Sequence, residues 1–276
     1  MINFLEVFGL IIIAGLIGGG SAGILGVFVV GLRMPFLAVF SAHAAMAGAV
    51  MGELLGLPQL AAGFVGALLG AFLLGSLLRR HDLDPNVVLG SLFSLMMGVA
   101  FIGIGISKGP KSTLLGLMWG NLLFVTRFQL IAMIVVAVAL AAFISIFEKE
   151  LKILLFSREL ASYIIPENIF FTSLLVFSAG VITINLQTVG GLMLYSLVSN
   201  PAVAALRVSR NYWSSIILSC IFGMMSVLGG FLVSYWFNLP MGSCIVIFSC
   251  SIVGLVFAVE NKIIRSTTRQ KIKSSK

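Results

Sequence analysis

A chain of 276 residues would ordinarily build one large or two small globular domains, but 60% of these residues are hydrophobic and only 9% are charged. So few charges cannot cover a water-exposed fold of this size, which excludes soluble-enzyme, disordered and nucleic-acid-binding classes and leaves an all-α polytopic membrane protein. The net charge of +8 then reads as Lys and Arg gathered on one side of a bilayer, because no basic run is interleaved with aromatics as nucleic-acid contact requires.

A transmembrane helix needs about 20 apolar residues. At that grain the sequence divides into about eight or nine spans within a single transmembrane domain over 1–276. The first runs from roughly 7 to 32. Residues Ile2 to Phe8 carry Glu6 and no Lys or Arg, so the positive start of a cleavable signal is missing and this span is expected to stay in the mature chain. Its Gly18, Gly20 and Gly23 spell G-x-G-x-x-G, but no βαβ unit surrounds them, and close helix packing is the expectation rather than a dinucleotide site.

The second span, roughly 34 to 56, holds the most informative residue, His43, in Ser41-Ala42-His43-Ala44-Ala45-Met46. An ionisable side chain at that depth faces a cavity or a partner, or is a hydrogen-bonded packing residue. Neutral imidazole suits zinc, manganese or iron, and Met46 at i+3 shares its helix face. Ala44, Gly48, Gly52 and Gly56 recur every fourth residue, as do Gly66 and Gly70 in the third span (roughly 59 to 78), giving small-residue seams for bundle packing, for a pathway lining or for a dimer contact. Glu53 lies near the span's far end, where it reads as a vestibule carboxylate or a solvated helix terminus. His81, beside Arg79, Arg80, Asp82 and Asp84, reads as part of a solvated loop.

A fourth span (roughly 87 to 106) leads into residues 107–127, which mix Gly and Pro with Leu, Met and Trp119 and suit a short interfacial helix. Lys108-Gly109-Pro110-Lys111-Ser112 is no phosphate loop, because Pro110 precedes Lys111 where glycine is required; no ATPase site is expected in this chain. After a fifth span (roughly 128 to 147), residues 148–167 are amphipathic and charged. Ser157 there can cap a short helix carrying Arg158 and Glu159, and Pro166 ends it. Such a helix, lying along the membrane face, is suited to contact another protein.

Spans follow at roughly 168 to 187, 189 to 206, 212 to 237 and 242 to 259, and then a basic tail over 261–276. The span from 189 opens on Gly190-Gly191 and meets Asn200-Pro201, so a broken or partly inserted helix is expected there. Cys220, Cys244 and Cys250 all lie in apolar stretches without metal-binding spacing and read as small buried fillers. If Arg33 faces the cytoplasm, alternation puts every Lys and Arg but Lys108, Lys111 and Arg127 on that side, with the N-terminus outside and the C-terminus inside.

Three blocks resemble the membrane permease subunits of the manganese/zinc/iron-type ABC transporters. Arg33-Met34 with Ser41 through Gly48 is similar to that family's arginine-rich turn and S-H-A-A-x-x-G stretch. Thr188-Val189-Gly190 through Pro201 resembles its glycine-to-proline helix, and Ser234-Tyr235 with Leu239-Pro240-Met241-Gly242 its S-Y-x-x-x-L-P-x-G element. The segment Phe156-Ser157-Arg158-Glu159-Leu160-Ala161 is similar to its cytoplasmic coupling segment. Two positions depart from the family pattern. Val39 stands four residues before His43 where many members carry an aspartate metal ligand, and Asn238 stands where members often have Asp.

The resemblance implies a transmembrane permease subunit of an ATP-driven importer of a divalent transition metal ion in a prokaryotic plasma membrane, holding no permanent cofactor. It implies cytoplasmic ABC ATPase subunits, a second permease subunit and an extracytoplasmic metal-binding protein as partners beside the lipid bilayer, with no nucleic acid. His43, Met46 and Glu53 would belong to the metal path, Phe156 to Glu159 to ATPase coupling, and Gly48, Gly52, Gly190 and Pro201 to helix packing. A gradient-driven transporter or channel is a rival, disfavoured because the span interiors offer almost no carboxylate or basic group beyond His43 to relay protons. A hydrophobic anchor subunit of a membrane enzyme complex is another, and it would need clustered histidine ligands for its cofactors.

Overall fold

The computed structural model describes residues 4–79, 84–107, 116 and 125–274, and among these the chain is helical with no strand. The helices are α1 Phe4–Gly31, α2 Leu37–Leu54, α3 Gln59–Leu78, α4 Pro85–Ile106, α5 Arg127–Ile146, α6 Glu148–Phe156, α7 Arg158–Ile164, α8 Glu167–Thr188, α9 Gly191–Val208, α10 Tyr212–Phe237 and α11 Met241–Ser274. Helices α1 to α5, α8, α10 and α11 are each long and apolar enough to cross a bilayer. The expected interfacial helix between 107 and 127, and His81 with its loop, lie outside the described residues except at the edges.

Local chemistry sets the helix starts. Asp84 caps α4, its Oδ1 accepting from the Asn86 amide at 2.7 Å, and Pro85 occupies the first turn where its missing N–H costs nothing. Thr126 and Gln129 form a reciprocal capping box at α5. Gly190, at φ 95°, takes the positive-φ turn that starts α9 directly after α8, and Asn238, at φ 51°, ends α10 in the left-handed region before Pro240 and α11.

Helix α9 departs from expectation. It runs unbroken through Pro201, although proline supplies no donor to the carbonyl of Leu197 and crowds it. Tertiary contacts hold the helix instead: Leu197, Val198, Ala202, Ala204 and Ala205 are fully buried, and Asn200 Nδ2 donates to Ser249 Oγ at 2.9 Å and to Cys250 Sγ at 3.2 Å on α11. Met193 packs on Gly242 at one end of this pair and Arg207 reaches Glu260 at the other. Its 18 residues span about 27 Å beside the apolar length of α11, and protein surrounds much of it.

Glycine sets the helix spacing. Along α1, a Cβ added at Gly19 would stand 2.5 Å from the Gly223 carbonyl oxygen, Gly23 lies against the Ser219 carbonyl, and Ser219 Oγ donates to the Gly23 carbonyl at 2.6 Å. Of the G-x-G-x-x-G glycines, Gly20 and Gly23 therefore lie in the contact of α1 with α10, whereas Gly18 faces Asn185 on α8 and Met133 on α5. The second seam joins α2 to α3: a Cβ at Gly48 would stand 2.5 Å from the Ala62 carbonyl oxygen and 2.7 Å from the Gly66 Cα, and Gly52 rests on the Ala62 methyl. Both seams lie within one chain.

The connections fall at two opposite ends. At one, Asn86 Nδ2 donates to the Arg33 carbonyl at 3.1 Å and Arg158 Nη2 to the Leu78 carbonyl at 3.2 Å. At the other, Glu53 meets Gln59 and Ser107. The short helix expected between Ser157 and Pro166 is α7; a second helix, α6, precedes it, and both dock at the Arg33 end through buried Leu151, Leu154 and Ala161.

Candidate functional site

Helix α2 is enclosed by neighbours along most of its length, and His43, 5% exposed, sits in that enclosed part. Its Nδ1 lies 2.9 Å from the carbonyl oxygen of Val39, one turn back. A carbonyl only accepts, so Nδ1 carries the proton and the Nε2 lone pair is left to act as acceptor or ligand. The edge of Phe93 on α4 packs against the ring, centroids 4.7 Å apart at 85°, which fixes its plane. Met46, one turn on, is also buried, at 2% exposure. The position where an aspartate was expected thus contributes backbone: Val39 orients the imidazole without adding a ligand.

Among the described residues no group of three or more His, Cys, Asp or Glu gathers into a cage. The described residues therefore offer a cation a single oriented imidazole, and a complete coordination shell needs further donors. Beside His43 an apolar groove of about 520 Å³ follows α2, α3 and α4, floored by Ala44, Ala47, Gly48 and Gly66 and walled by Met51 and Met96.

Glu53 is half-buried at the far end of α2. Its Oε2 accepts from Gln59 Nε2 at 2.7 Å and its Oε1 from Ser107 Oγ at 3.4 Å. The carboxylate thereby ties the ends of α2, α3 and α4 together, a clamping role that its position near a helix terminus did not reveal.

At the Arg33 end the four coupling candidates divide. Ser157 caps α7, its Oγ accepting from the Leu160 amide at 3.3 Å. Arg158 turns inward: its guanidinium pairs with Glu167, which is 3% exposed, donates to the Leu78 carbonyl and lies 3.9 Å over the Phe171 ring. Phe156 and Glu159 are exposed, Phe156 at 82%. With Leu160, Tyr163 and Ile164 they leave an apolar and acidic face uncovered on α6 and α7. Glu167, Phe171, Phe93 and the Gln59/Ser107 pair are functional-site residues that sequence reasoning missed; for Glu167 the signal was a lone carboxylate directly after Pro166, at the start of an apolar span.

This arrangement is a bundle with one buried imidazole and one helical platform at its end, and the sequence matches the ABC 3 transport family over residues 5–260. The chain belongs to the ABC 3 transport family. It is a multi-pass membrane permease of that ABC family. Relatives include the manganese import system permease ScaB of Streptococcus parasanguinis, 25% identical over 245 residues covering 88% of this chain and 87% of that one. A membrane protein from the ycf23-apcF intergenic region of Cyanophora paradoxa is 27% identical over 253 residues, covering 91% and 84%. Among solved structures, PsaBC from Streptococcus pneumoniae in complex with Fab superposes with a TM-score of 0.81 at 26% identity, covering 93% of this chain and 94% of that one.

Proposed function

We propose that this permease carries a divalent first-row transition metal ion into a prokaryotic cell across the plasma membrane, driven by ATPase subunits that dock on α6 and α7. The Arg33 end is the cytoplasmic one, which puts the N-terminus outside and leaves Glu53 at the outer mouth. The observation that carries the reading is His43: a buried imidazole whose proton is committed to a backbone carbonyl and whose other nitrogen is left for a ligand. Because one chain supplies one such donor, the shell is completed across the axis of a permease dimer, by a second His43 or by Met46. An extracytoplasmic binding protein delivers the ion, and the separate ATPase hydrolyses the nucleotide. Manganese is named for the Streptococcus parasanguinis relative; the imidazole and thioether donors here are softer than manganese favours, so zinc and iron stand beside it as candidates.

The test is reconstitution. The chain is co-expressed with its cognate ATPase subunit and binding protein, and ATP-dependent uptake of manganese, zinc and iron(II) is measured in proteoliposomes. Uptake of one of the three that requires ATP supports the proposal. Gradient-driven uptake without ATP, or no association with an ATPase, contradicts it.

A further inference from the structure

Helix α1 ends in a Schellman turn, the Arg33 amide donating to the Val30 carbonyl at 3.0 Å and the Met34 amide to the Val29 carbonyl at 2.9 Å. Arg33 occupies the left-handed position of that turn, at φ 58°, which glycine adopts most readily. The backbone alone would be served better by glycine, so the arginine is explained by its side chain. That side chain is exposed, and among the described residues its guanidinium has no hydrogen-bond or ion-pair partner. Asp84 directs its Oδ1 to the amides that start α4 and makes no ion pair with Arg33. Asn86 grips the Arg33 carbonyl, so the turn is tied to α4 and presents its cation from a fixed backbone.

The same turn forms one wall of a pocket of about 460 Å³ whose other walls are Pro85, Leu155, Phe156, Ser157 and Glu159. Arg158 lines it too, but its guanidinium is consumed by Glu167, Leu78 and Phe171. Among the described residues Arg33 is thus the cation of this socket without a side-chain partner, and the socket is continuous with the exposed face of α6 and α7.

We propose that Arg33 is a second anchor for the ATPase subunit: its guanidinium receives a carboxylate of that subunit in the socket between the α1–α2 turn and α6–α7. This rests on the permease reading above. A fixed guanidinium and a carboxylate form a charge-assisted, two-pronged pair that adds registration to the apolar contact made by Phe156. The partner element is an acidic side chain beside an apolar one, matched to Arg33 beside Phe156.

The experiment titrates the ATPase subunit onto the permease in nanodiscs of phosphatidylcholine alone and of phosphatidylcholine with anionic phosphatidylglycerol, using wild type, Arg33→Lys and Arg33→Gly. Glycine relieves the turn while deleting the cation. The proposal expects Arg33→Gly to bind about tenfold to a hundredfold more weakly in both lipids, the loss expected for one charge-assisted pair, at equal or higher thermal stability. Arg33→Lys falls between the two. Wild-type affinity in Arg33→Gly overturns the proposal, as does a loss seen only with the anionic lipid, which would assign the cation to a headgroup. Failure of wild type to bind the ATPase subunit at all overturns the permease reading, and this inference with it.

Discussion

Arg158 reaches from the start of α7 to Glu167 at the start of α8, burying the carboxylate at 3% exposure and laying the guanidinium 3.9 Å over Phe171. The ion pair bridges Pro166 and fixes where α7 lies on the bundle. Removing one partner of such a pair leaves the other charge in a poorly solvated place. Arg158→Ala, which strands the buried Glu167 carboxylate, should therefore cost on the order of 3 kcal/mol, and Glu167→Ala somewhat less because the arginine left behind retains some solvent contact. Thermal unfolding in detergent measures this. Both variants should also lose ATPase binding through the displaced platform; an unchanged melting temperature in Glu167→Ala would contradict a structural role for the pair.

Phe156 and Glu159 make the opposite forecast. They are exposed, and among the described residues neither side chain hydrogen-bonds or pairs with another, so Phe156→Ala or Glu159→Lys should change stability by less than about 0.5 kcal/mol. Each should nevertheless weaken capture of the ATPase subunit, read as the ratio of the two proteins after co-purification. Full capture by the double variant would remove this face from the interface.

The α2–α3 seam predicts a folding lesion. Gly48→Leu places a branched side chain where even a Cβ would meet the Ala62 carbonyl and the Gly66 Cα. Backbone on both sides cannot yield cheaply, so a loss of about 3 kcal/mol or more is expected, with reduced yield of folded protein. Gly90→Leu, where a Cβ meets nothing within 4 Å, is the matched control and should behave like wild type.

Acid should leave the platform in place. Glu148 bonds Lys152 one turn along α6, and this holds its carboxyl below the ordinary glutamate range. A depressed folded-state pKa gives stability that is present above the unfolded value, near 4.5, and is lost only as pH falls through the still lower folded value. ATPase binding should accordingly stay level from pH 8 to about 5.5 at constant ionic strength. A fall within that window would show that α6 depends on some other titrating group.

Much of the fold was legible because bilayer-length apolar runs and short polar connections are read directly from composition, and Ser157 announces a helix start through its capping chemistry, whereas sequence reasoning missed the caps at Asp84 and Thr126. His43 was legible as a deep ionisable residue. Its tautomer was not, because that depends on the Val39 carbonyl and on the Phe93 edge from another helix. Pro201 misled because proline's local penalty is visible in sequence, whereas the burial and the Asn200 contacts that outweigh it are tertiary. Arg158 misled similarly: a charged residue on a short amphipathic helix reads as a surface contact until Glu167 and Phe171 are brought beneath it. The left-handed turn at Arg33 carried no glycine to mark it.

The measurement closest to the central claim compares metal uptake by reconstituted wild type, His43→Ala and Val39→Asp at matched expression, with melting temperature recorded for each. His43→Ala removes the oriented Nε2 donor and should reduce uptake by about tenfold or more while the protein remains folded. Val39→Asp adds a hard oxygen donor one turn from the imidazole and should shift preference toward manganese over zinc. Full uptake by a folded His43→Ala protein would reduce this residue to a packing role and contradict the account.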